Sequence, residues 1–346
     1  MKHKAKSAIL MGAAGLVLAA TSANAQPNVK VDFYGLLDVF AGTSKPGNSD
    51  DRKYMVDSGG MTTSYLGMKA TVDAGYGLTG IASVEMFYRP DTGADGRYDG
   101  DTFFARSAYL GLASKDYGMV KLGRNTNPYF LSTVLFNSFG DSFVFSPAVL
   151  HSFTGGLLGD SGWSNSIVYS TPKIGGFSAT VAYAAGERGS ESHANKVGGN
   201  VFYTAGKFAA TVAVQHVDRR AHETGAATPD DDQDALLVGA SYDFGVAKLF
   251  GQYQMMNDEY AAGGKLDRDT YVVGVSVPVG KGAILASYGR TERDGAVDSE
   301  RDTFAVGYTH QMTKALDLYV GYVYDKDDLY ADDSADTFGV GGRFRF

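Results

Sequence analysis

Residues 234–256 read DALLVGASYDFGVAKLFGQYQMM, and they contain two alternating segments joined by a short turn. In the first segment, apolar residues occupy every second position, at Leu236, Val238, Ala240 and Tyr242. Because strand side chains point alternately to opposite faces, this period of two predicts a strand with one apolar and one polar face. The pattern recurs from residue 29 to the C-terminus. It predicts 16 strands, at 29–42, 63–74, 78–88, 102–114, 117–124, 163–171, 176–184, 196–204, 208–217, 234–243, 247–256, 269–277, 282–291, 300–310, 315–325 and 336–346.

The connections between these strands alternate in length. Short turns such as 73–77 and 243–247 alternate with longer stretches such as 43–62 and 218–233, so turns and loops lie at opposite ends of the strands. The second face of the strands carries Asp, Lys, Gln, Ser and Thr, as the wall of a water-filled lumen requires. The sequence therefore predicts an all-β fold, a 16-stranded antiparallel transmembrane β-barrel with short periplasmic turns and long extracellular loops.

A soluble β-sandwich or propeller is the alternative fold, but it needs both sheet faces apolar or a second layer over one of them. A bilayer accounts for the pattern better, because backbone groups in hydrocarbon need partners and a closed barrel has no open edge. Of the 346 residues, 45 are Gly, a poor helix former, which argues against an all-helical protein. The sequence contains no Cys, which rules out a disulfide scaffold and a Cys-ligated metal site.

The first 25 residues form a separate segment. Three lysines precede an apolar stretch, residues 8–20, that is too short to span a bilayer, and residues 23–25 read Ala-Asn-Ala. This pattern is typical of a secretory signal peptide, with an N-terminal membrane anchor as the alternative. We expect residues 26–346 to form a single barrel domain. Without the three lysines, 28 of the 31 basic residues face 39 acidic ones, and this net charge of −11 argues against a nucleic-acid partner.

Motifs along the whole mature chain resemble those of the general porins of Gram-negative outer membranes. They occur in the family's order at 31–35 (VDFYG), 65–69 (YLGMK), 106–112 (RSAYLGL), 122–125 (LGRN) and 165–169 (NSIVY). The last residue, Phe346, resembles the terminal aromatic that serves the family as a membrane-assembly signal. On this last strand Phe344 and Phe346 have the apolar parity, whereas Arg343 and Arg345 have the inward one.

The resemblance implies a homotrimer of barrels, each with its own pore, in the outer membrane of a Gram-negative bacterium. It also implies that the third extracellular loop folds inward and narrows the lumen. Residues 125–162 are the longest connection and are rich in Phe, so we expect this segment to be the constriction loop and to pack against the inner wall. In the family, carboxylates on this loop face a basic cluster across the pore, and the field between them sorts solutes by charge.

By position, the resemblance assigns six residues of this chain to the constriction: Arg106, Asp141, Lys69, Glu85, Arg124 and Asp160. The basic side departs from the family pattern, because Leu36, Tyr65 and either Gly162 or Trp163 stand where basic residues are usual. We therefore expect a weaker field and a more aromatic constriction. With acidic loops at the mouth, the expected selectivity is a weak preference for cations, which declines as salt screens those loops.

Acidic residues cluster in two of the predicted loops. They lie at 230–234 in loop five and around loop eight, where Lys326 alone offsets Asp325, Asp327, Asp328, Asp332, Asp333 and Asp336. One interpretation is a solvated charged face. The other is a site for divalent cations, which prefer oxygen ligands and would bridge to lipopolysaccharide phosphates, at Asp327, Asp328, Asp332 and Asp333. No cofactor is predicted.

Three functions are compatible with these features. The first is passive diffusion of small hydrophilic solutes and ions, the second a substrate-selective channel of the same fold, and the third an outer-membrane enzyme such as a protease or phospholipase. Residues 159–162, Gly-Asp-Ser-Gly, resemble the nucleophile segment of trypsin-like proteases, but outward barrel loops provide no known scaffold for a triad. No pair of histidines has the spacing of a zinc motif. The sequence favours the diffusion channel.

Overall fold

The computed structural model of the protein describes residues 28–154, 156–186, 195–218, 232–260, 263–330 and 334–346. The expected signal peptide, 1–25, lies outside these ranges. The described strands are β1 (Lys30–Lys45), β2 (Lys53–Ser58), β3 (Tyr65–Gly75), β4 (Leu78–Arg89), β5 (Ala94–Asp95), β6 (Ser107–Ser114), β7 (Gly118–Thr126), β8 (Gly162–Ser170), β9 (Phe177–Ala184), β10 (Lys196–Ala205), β11 (Phe208–Asp218), β12 (Asp232–Asp243), β13 (Lys248–Glu259), β14 (Lys265–Val279), β15 (Gly282–Asp294), β16 (Ser299–Gln311), β17 (Leu316–Asp327) and β18 (Ser334–Arg345). Two helices, α1 (Pro128–Leu135) and α2 (Pro147–Phe153), lie in loop three. Neither they nor any other helix of the described ranges is long and apolar enough to cross a membrane.

Sixteen of these strands close into an antiparallel barrel. Each pairs with the next along the chain, and β1 closes on β18 from Leu36↔Arg345 to Lys45↔Asp336. The short strands β2 and β5 extend the wall at the long-loop end, where β2 pairs with β1 and β5 with β4. Closure leaves no open sheet edge in the barrel wall. The predicted 16-stranded barrel is confirmed, and each predicted strand overlaps an observed one.

The outer face of the barrel is apolar. On β12, Val238 and Tyr242 are 45% and 42% exposed, whereas Leu237 on the opposite parity is buried inside. On β18, Phe344 is exposed on the outside, while Arg345 bonds to a carboxylate inside, as its parity predicts. An exposed apolar surface of this extent is typical of a membrane interface.

The two helices of loop three begin at capping and proline signals in the sequence. A search for alternating apolar residues does not detect such signals. Pro128 and Pro147 occupy their first turns, where a missing backbone N–H costs nothing. The side chain of Asn127 accepts a hydrogen bond of 2.8 Å from the backbone N–H of Tyr129 and so caps α1. Loop three is therefore an ordered segment that contains helices of its own.

Loop three lies inside the barrel, as expected. Helix α1 packs against β10, β11 and β12, and α2 packs against β14, β15 and β16. Phe139 and Phe145 of the loop are buried with Phe40, Tyr319 and Val323 of the wall. Because each such side chain contributes about 2 kcal/mol on burial, the loop is a stable part of the core.

Inward-facing glycines make room for this loop. They lie on six strands of one side of the wall, at Gly239, Gly274, Gly289, Gly307, Gly321 and Gly339. A Cβ at Gly307 would lie 3.2 Å from the Phe139 ring, and a Cβ at Gly321 would lie 3.1 Å from the Phe145 ring. A larger residue at either position would push the loop toward the opposite wall. Part of the high glycine content therefore serves to seat loop three.

Candidate functional site: the pore constriction

Loop three and the facing wall enclose a cavity of about 310 Å³. Its loop side is mostly apolar and is formed by Phe130, Leu131, Val134, Leu135, Asp141 and Phe143. The wall side includes Thr63, Phe87 and Arg106. A second cavity of about 480 Å³ also includes Thr63 and Phe143, and extends to Arg97 and Asp160. The two cavities therefore adjoin, with loop three along one side of both.

Arg106, which the resemblance assigns to the basic side of the constriction, lies in the wall beside the first cavity. Its Nη1 donates to Glu85 Oε2 at 2.7 Å, and the guanidinium lies 4.0 Å from the centre of the Tyr65 ring. Glu85 also accepts hydrogen bonds from the Tyr34 hydroxyl at 2.7 Å and the Ser107 hydroxyl at 2.8 Å. The side chain of Arg106 is 31% exposed and that of Glu85 only 12%, so the arginine presents the charge to the lumen. Tyr65, which replaces a basic residue, supports this arginine through a cation–π contact.

Asp141 is partly buried in loop three near the same wall. Its Oδ1 accepts a hydrogen bond of 3.0 Å from the Thr62 hydroxyl, and that hydroxyl oxygen accepts one of 3.2 Å from Arg343. Burial raises the pKa of the Asp141 carboxyl, and the positive charges of Arg106 and Arg343 offset only part of this effect. Asp141 is therefore more easily neutralised than an ordinary carboxyl.

Two inward-facing arginines of β18 belong to this region, although sequence reasoning did not assign them to it. Arg343 and Arg345 contact the carboxylate of Asp317 on β17, at 3.4 and 2.5 Å. The side chain of Arg345 is 41% exposed, whereas that of Asp317 is 11% exposed. Their inward parity was the available signal, but parity alone does not give the height of a residue in the lumen.

Two lysines lie on inward positions toward the periplasmic end of the lumen. Lys69 follows Tyr65 by four residues on β3 and pairs in register with Ser83. Within the described ranges, the structure shows no ion pair for Lys69. Lys121 on β7 lies 5.2 Å from the centre of the Tyr109 ring. Both lysines therefore add positive charge below the constriction.

Arg124 and Asp160 contact each other but join a different cluster from Arg106 and Asp141. Arg124 Nη2 lies 2.9 Å from Asp160 Oδ2, and its Nε donates to a backbone carbonyl. Arg97 of loop two forms two hydrogen bonds to Asp160, of 2.6 and 2.9 Å, and two more to Asp101. Burial favours the neutral form of Asp160, but the bonds and charges of the arginines prevail and lower the pKa of this carboxyl to about 2. This network joins loop two to the end of loop three.

Arginines pair with three aspartates of the loop-eight cluster, Asp325, Asp327 and Asp336, so the expectation that Lys326 alone offsets the cluster is wrong. Asp327 pairs with Arg293 through two contacts of 2.8 Å, and Asp325 pairs with Arg301 through two of 2.9 Å. Among the other members, Asp328 Oδ2 accepts a backbone N–H at 2.9 Å, and Arg52 binds Asp336. Asp332 and Asp333 lie outside the described residues. In the described ranges, no group of three or more His or acidic residues could hold a metal ion.

Among the residues that the structure describes, the protease-like segment forms no catalytic triad. The hydroxyl of Ser161 lies 3.2 Å from an oxygen of Asp160 and 3.3 Å from Arg97. His151 in α2 bonds instead to the hydroxyls of Thr291 and Thr303, both at 2.6 Å. The neighbours of Ser161 therefore tether a loop and supply no general base.

A closed 16-stranded barrel with an apolar outer face and an inward third loop defines a channel of the bacterial outer membrane. The chain matches the family model described as Gram-negative porin over residues 12–329. It is 30% identical over 324 residues to outer membrane porin protein 32 of Delftia acidovorans, which covers 90% of this chain and 89% of that protein. It is 25% identical over 334 residues to a chitoporin of Vibrio furnissii, covering 93% and 82%.

Among solved structures, the fold is similar to that of an anion-selective porin from Comamonas acidovorans. The TM-score is 0.81 at 26% identity, and the match covers 92% of this chain and 100% of that one. This chain therefore belongs to the Gram-negative porin family. It is an integral protein of the outer membrane of a Gram-negative bacterium, and it is a channel, not an enzyme.

Proposed function

We propose that this porin is a passive-diffusion channel for small hydrophilic solutes and ions, and that its constriction weakly favours anions. The relative exposure of opposite charges supports this sign. Arg106 and Arg345 are 31% and 41% exposed, whereas their partners Glu85 and Asp317 are 12% and 11% exposed. The third carboxylate, Asp141, is partly buried, and its raised pKa makes it more easily neutralised than an ordinary carboxyl. An ion in the lumen therefore meets the arginines first, and the nearest fixed charges dominate the potential in a narrow pore.

The weak cation preference expected from the sequence is the alternative. It is favoured by the net charge of −11 and by acidic loops at the mouth, whose effect extends about 8 Å at physiological salt. Two of the six loop-eight aspartates, Asp327 and Asp325, are however paired with Arg293 and Arg301. The similarity to an anion-selective porin is a further reason to prefer the anion assignment.

Reversal potential in a potassium chloride gradient across a planar bilayer tests both assignments. A potential that favours chloride, and changes little with salt concentration, supports control by the constriction. A potential that favours potassium at low salt and fades at high salt supports control by the mouth, and it would overturn the anion assignment. With either result, the measured conductance still shows that the protein forms a pore.

The second candidate function is a substrate-selective channel, and an aromatic wall favours it. The Phe130 ring lies 5.0 Å from that of Phe153 and 6.2 Å from that of Phe143, along the side of both cavities. Aromatic rings offer flat apolar faces to sugar rings as well as to other apolar groups. Chitooligosaccharide is the sugar to test, since one relative is a chitoporin. Concentration-dependent block of the current by this sugar, lost in Phe130→Ala, would establish selectivity, and its absence would leave simple diffusion.

We infer that Arg106, Glu85 and Asp141 set the field of the constriction, with Lys69 below it. Arg124 and Asp160 are instead proposed to hold the end of loop three in place, because they pair with each other and with Arg97. Substitution in the first group is expected to move the reversal potential. Substitution in the second group is expected to change the current noise more than the sign of the reversal potential.

We also propose that the porin assembles as a homotrimer through loop two. Phe103 and Phe104 are 53% and 36% exposed on this loop, with ring centres 4.8 Å apart. Such an exposed apolar pair is suited to cover by a neighbouring barrel. A reagent that joins a Cys at Phe103 to an amine of a neighbouring barrel is expected to give trimers, with Cys at the exposed periplasmic Tyr76 as the control. Monomers alone at Phe103 would contradict the assembly through this loop.

A further inference from the structure

Helix α1 of loop three turns hydroxyl side chains toward the barrel wall and apolar side chains toward the lumen. The Ser132 hydroxyl lies 3.0 Å from that of Thr211 in the wall, and the Gln252 side chain donates to the backbone carbonyl of Thr133 at 2.8 Å. Both Ser132 and Thr133 are buried. Four other side chains of the helix line the cavity of about 310 Å³: Phe130, Leu131, Val134 and Leu135. This orientation is the reverse of an ordinary amphipathic helix, whose polar side faces water.

These four residues form an apolar stripe along α1. Phe130 and Val134 are four residues apart, as are Leu131 and Leu135, so each pair lies on the same face of the helix. Leu135 is 55% exposed, and the other three are half-buried. The ring of Phe143 continues the stripe, with its centre 6.2 Å from that of Phe130. An apolar surface left open inside an aqueous pore indicates a contact with something that passes through it.

Arg106 borders the same cavity from the wall and has donors to spare. Its side chain is 31% exposed, and its Nη1 donates to Glu85. In the part of the chain that the structure describes, no hydrogen bond is formed by its Nε or Nη2. Because a guanidinium can bind a carboxylate through two parallel hydrogen bonds, Arg106 can hold a carboxylate that enters the cavity.

We infer that this cavity binds small organic monocarboxylates with an apolar body, an inference that rests on the anion-favouring constriction proposed above. The carboxylate bonds to Arg106, and the apolar body covers the stripe on α1. The cavity volume is at the lower end of the range for small-molecule sites, so it suits one molecule about the size of benzoate. An inorganic anion covers no apolar surface, and a sugar carries no charge. Binding must stay weak, because a solute that crosses a channel has to leave as well as enter.

A transverse electric field alone does not account for this cavity. Sorting by such a field requires charges on both sides of the pore. On the loop side, the cavity has a single carboxylate, Asp141, among apolar side chains. That carboxylate repels an anion, so the proposal predicts that Asp141→Asn binds organic monocarboxylates more tightly than wild type. The apolar stripe supplies the attraction that the field does not.

Block of the potassium chloride current in planar bilayers at pH 7 tests the proposal. Benzoate is the probe, acetate has the carboxylate without the ring, and benzamide has the ring without the charge. Succinate has two carboxylates and little apolar surface. If benzoate covers the equivalent of about two methylene groups, it is expected to halve the current at about one tenth of the acetate concentration. Benzamide and succinate are expected to block no better than acetate.

Substitution on the stripe separates apolar contact from charge. Leu135→Gln keeps a good helix former and replaces the exposed apolar side chain with an amide. It is expected to raise the half-blocking concentration of benzoate about threefold and to leave that of acetate unchanged. The matched control is Leu329→Gln in loop eight, which makes the same change at a 65% exposed leucine away from the cavity and should match wild type. Val134→Thr supplies the same readout if Leu135→Gln assembles poorly.

Equal half-blocking concentrations of benzoate and acetate in wild type would overturn the proposal. So would a Leu135→Gln variant that benzoate blocks as well as the Leu329→Gln control, or a succinate block as strong as that of benzoate. The reversal potential of the same bilayers in a potassium chloride gradient distinguishes this inference from the proposed function. A potential that favours chloride, without selective block by benzoate, would reject this site alone. Selective block in a pore that favours potassium would support the site and reject the anion preference.

Discussion

Arg97 of loop two and Asp160 of loop three form a two-point ion pair, with Nη1–Oδ1 and Nη2–Oδ2 distances of 2.6 and 2.9 Å. The same carboxylate also binds Arg124 of the wall. At the other end of the loop, the Asn127 amide donates to Gln215 at 2.8 Å. Loop three is thus held at both ends, and its first end is held by neutral groups and its second by charges.

Removing the loop-two arginine tests this anchor. Arg97→Gln leaves the mostly buried Asp160 with one charged partner, and we expect a loss of about 3 kcal/mol in unfolding free energy. Arg89→Gln is the matched control, because Arg89 on the same loop pairs with an almost fully exposed Asp99 and such pairs contribute about 0–1 kcal/mol. Denaturant titration in detergent measures the difference. Equal losses in the two variants would contradict the anchoring role.

The charged anchor also predicts an acid-sensitive stability. The pKa of Asp160 is lowered to about 2 in the folded protein, against about 3.9 for an unperturbed Asp. Between these values the unfolded chain binds more protons, so the contribution of Asp160 is present above pH 4 and is lost as pH falls toward 2. Unfolding free energy measured from pH 5 to pH 2 should fall less steeply in Asp160→Asn than in wild type. Parallel slopes in the two proteins would show that this carboxylate is not the acid-sensitive group.

His151 in α2 predicts a second pH window. Burial, reinforced by the positive charge of Arg301, lowers the pKa of this imidazole to about 3, against about 6.5 in an unfolded chain. Because the unfolded state binds more protons between these values, the protein should lose stability as pH falls from about 6.5 toward 3. Unfolding measured from pH 7 to pH 4 should show this loss in wild type and in His216→Gln, and a smaller one in His151→Gln. If His151→Gln has the wild-type slope, the ring is not held neutral by its two threonines.

The barrel could be predicted from the sequence because its signal is local. Alternation along one strand shows which face meets lipid, and a bilayer tolerates only closed sheets. The helices of loop three also had local signals, the pairs Asn127-Pro128 and Ser146-Pro147, but a search for period-two patterns passes over them. Segment 59–64 had no such signal. Its bend is held by the Asp38 carboxylate, which accepts backbone N–H groups from Gly60, Met61 and Thr62.

The constriction was only partly predictable, because charge pairing depends on the height of residues in different strands. Arg106 and Glu85, both assigned to the constriction by the resemblance, pair across β4 and the residue that precedes β6. Arg343 has visible inward parity, yet its approach to Asp141 through Thr62 depends on strand stagger, which sequence spacing does not show. The same limit explains why the aspartates of loop eight looked unpaired in the sequence.

The C-terminal residue predicts an assembly defect. Phe346 closes the barrel through two backbone bonds with Gly35, of 3.0 and 3.2 Å, and its ring stacks on that of Phe344 on the outer face. Deleting Phe346 removes both bonds and one exposed aromatic, so we expect less heat-resistant oligomer in outer membranes while secretion continues. Phe346→Tyr keeps the backbone and the ring and should assemble normally. Wild-type oligomer levels in the deletion strain would show that this residue is dispensable for closure.

The partly buried carboxyl of Asp141 in loop three predicts that selectivity depends on pH. Asp141 is negative above its raised pKa and neutral below it, and it lies with Arg106 beside the same cavity. A unit charge about 4 Å from an ion in water contributes about 1 kcal/mol, which corresponds to about a fivefold change in relative permeability. The chloride-to-potassium permeability ratio should therefore rise as pH falls from 7 toward 4. Asp141→Asn should have a higher ratio than wild type at pH 7 and little dependence on pH, so that the two proteins converge as pH falls. Arg106→Gln should lower the ratio by a similar factor, because it leaves Glu85 without its cation. A ratio that keeps its full pH dependence in Asp141→Asn would assign the titrating group elsewhere, and an unchanged ratio in Arg106→Gln would remove this arginine from the selectivity of the pore.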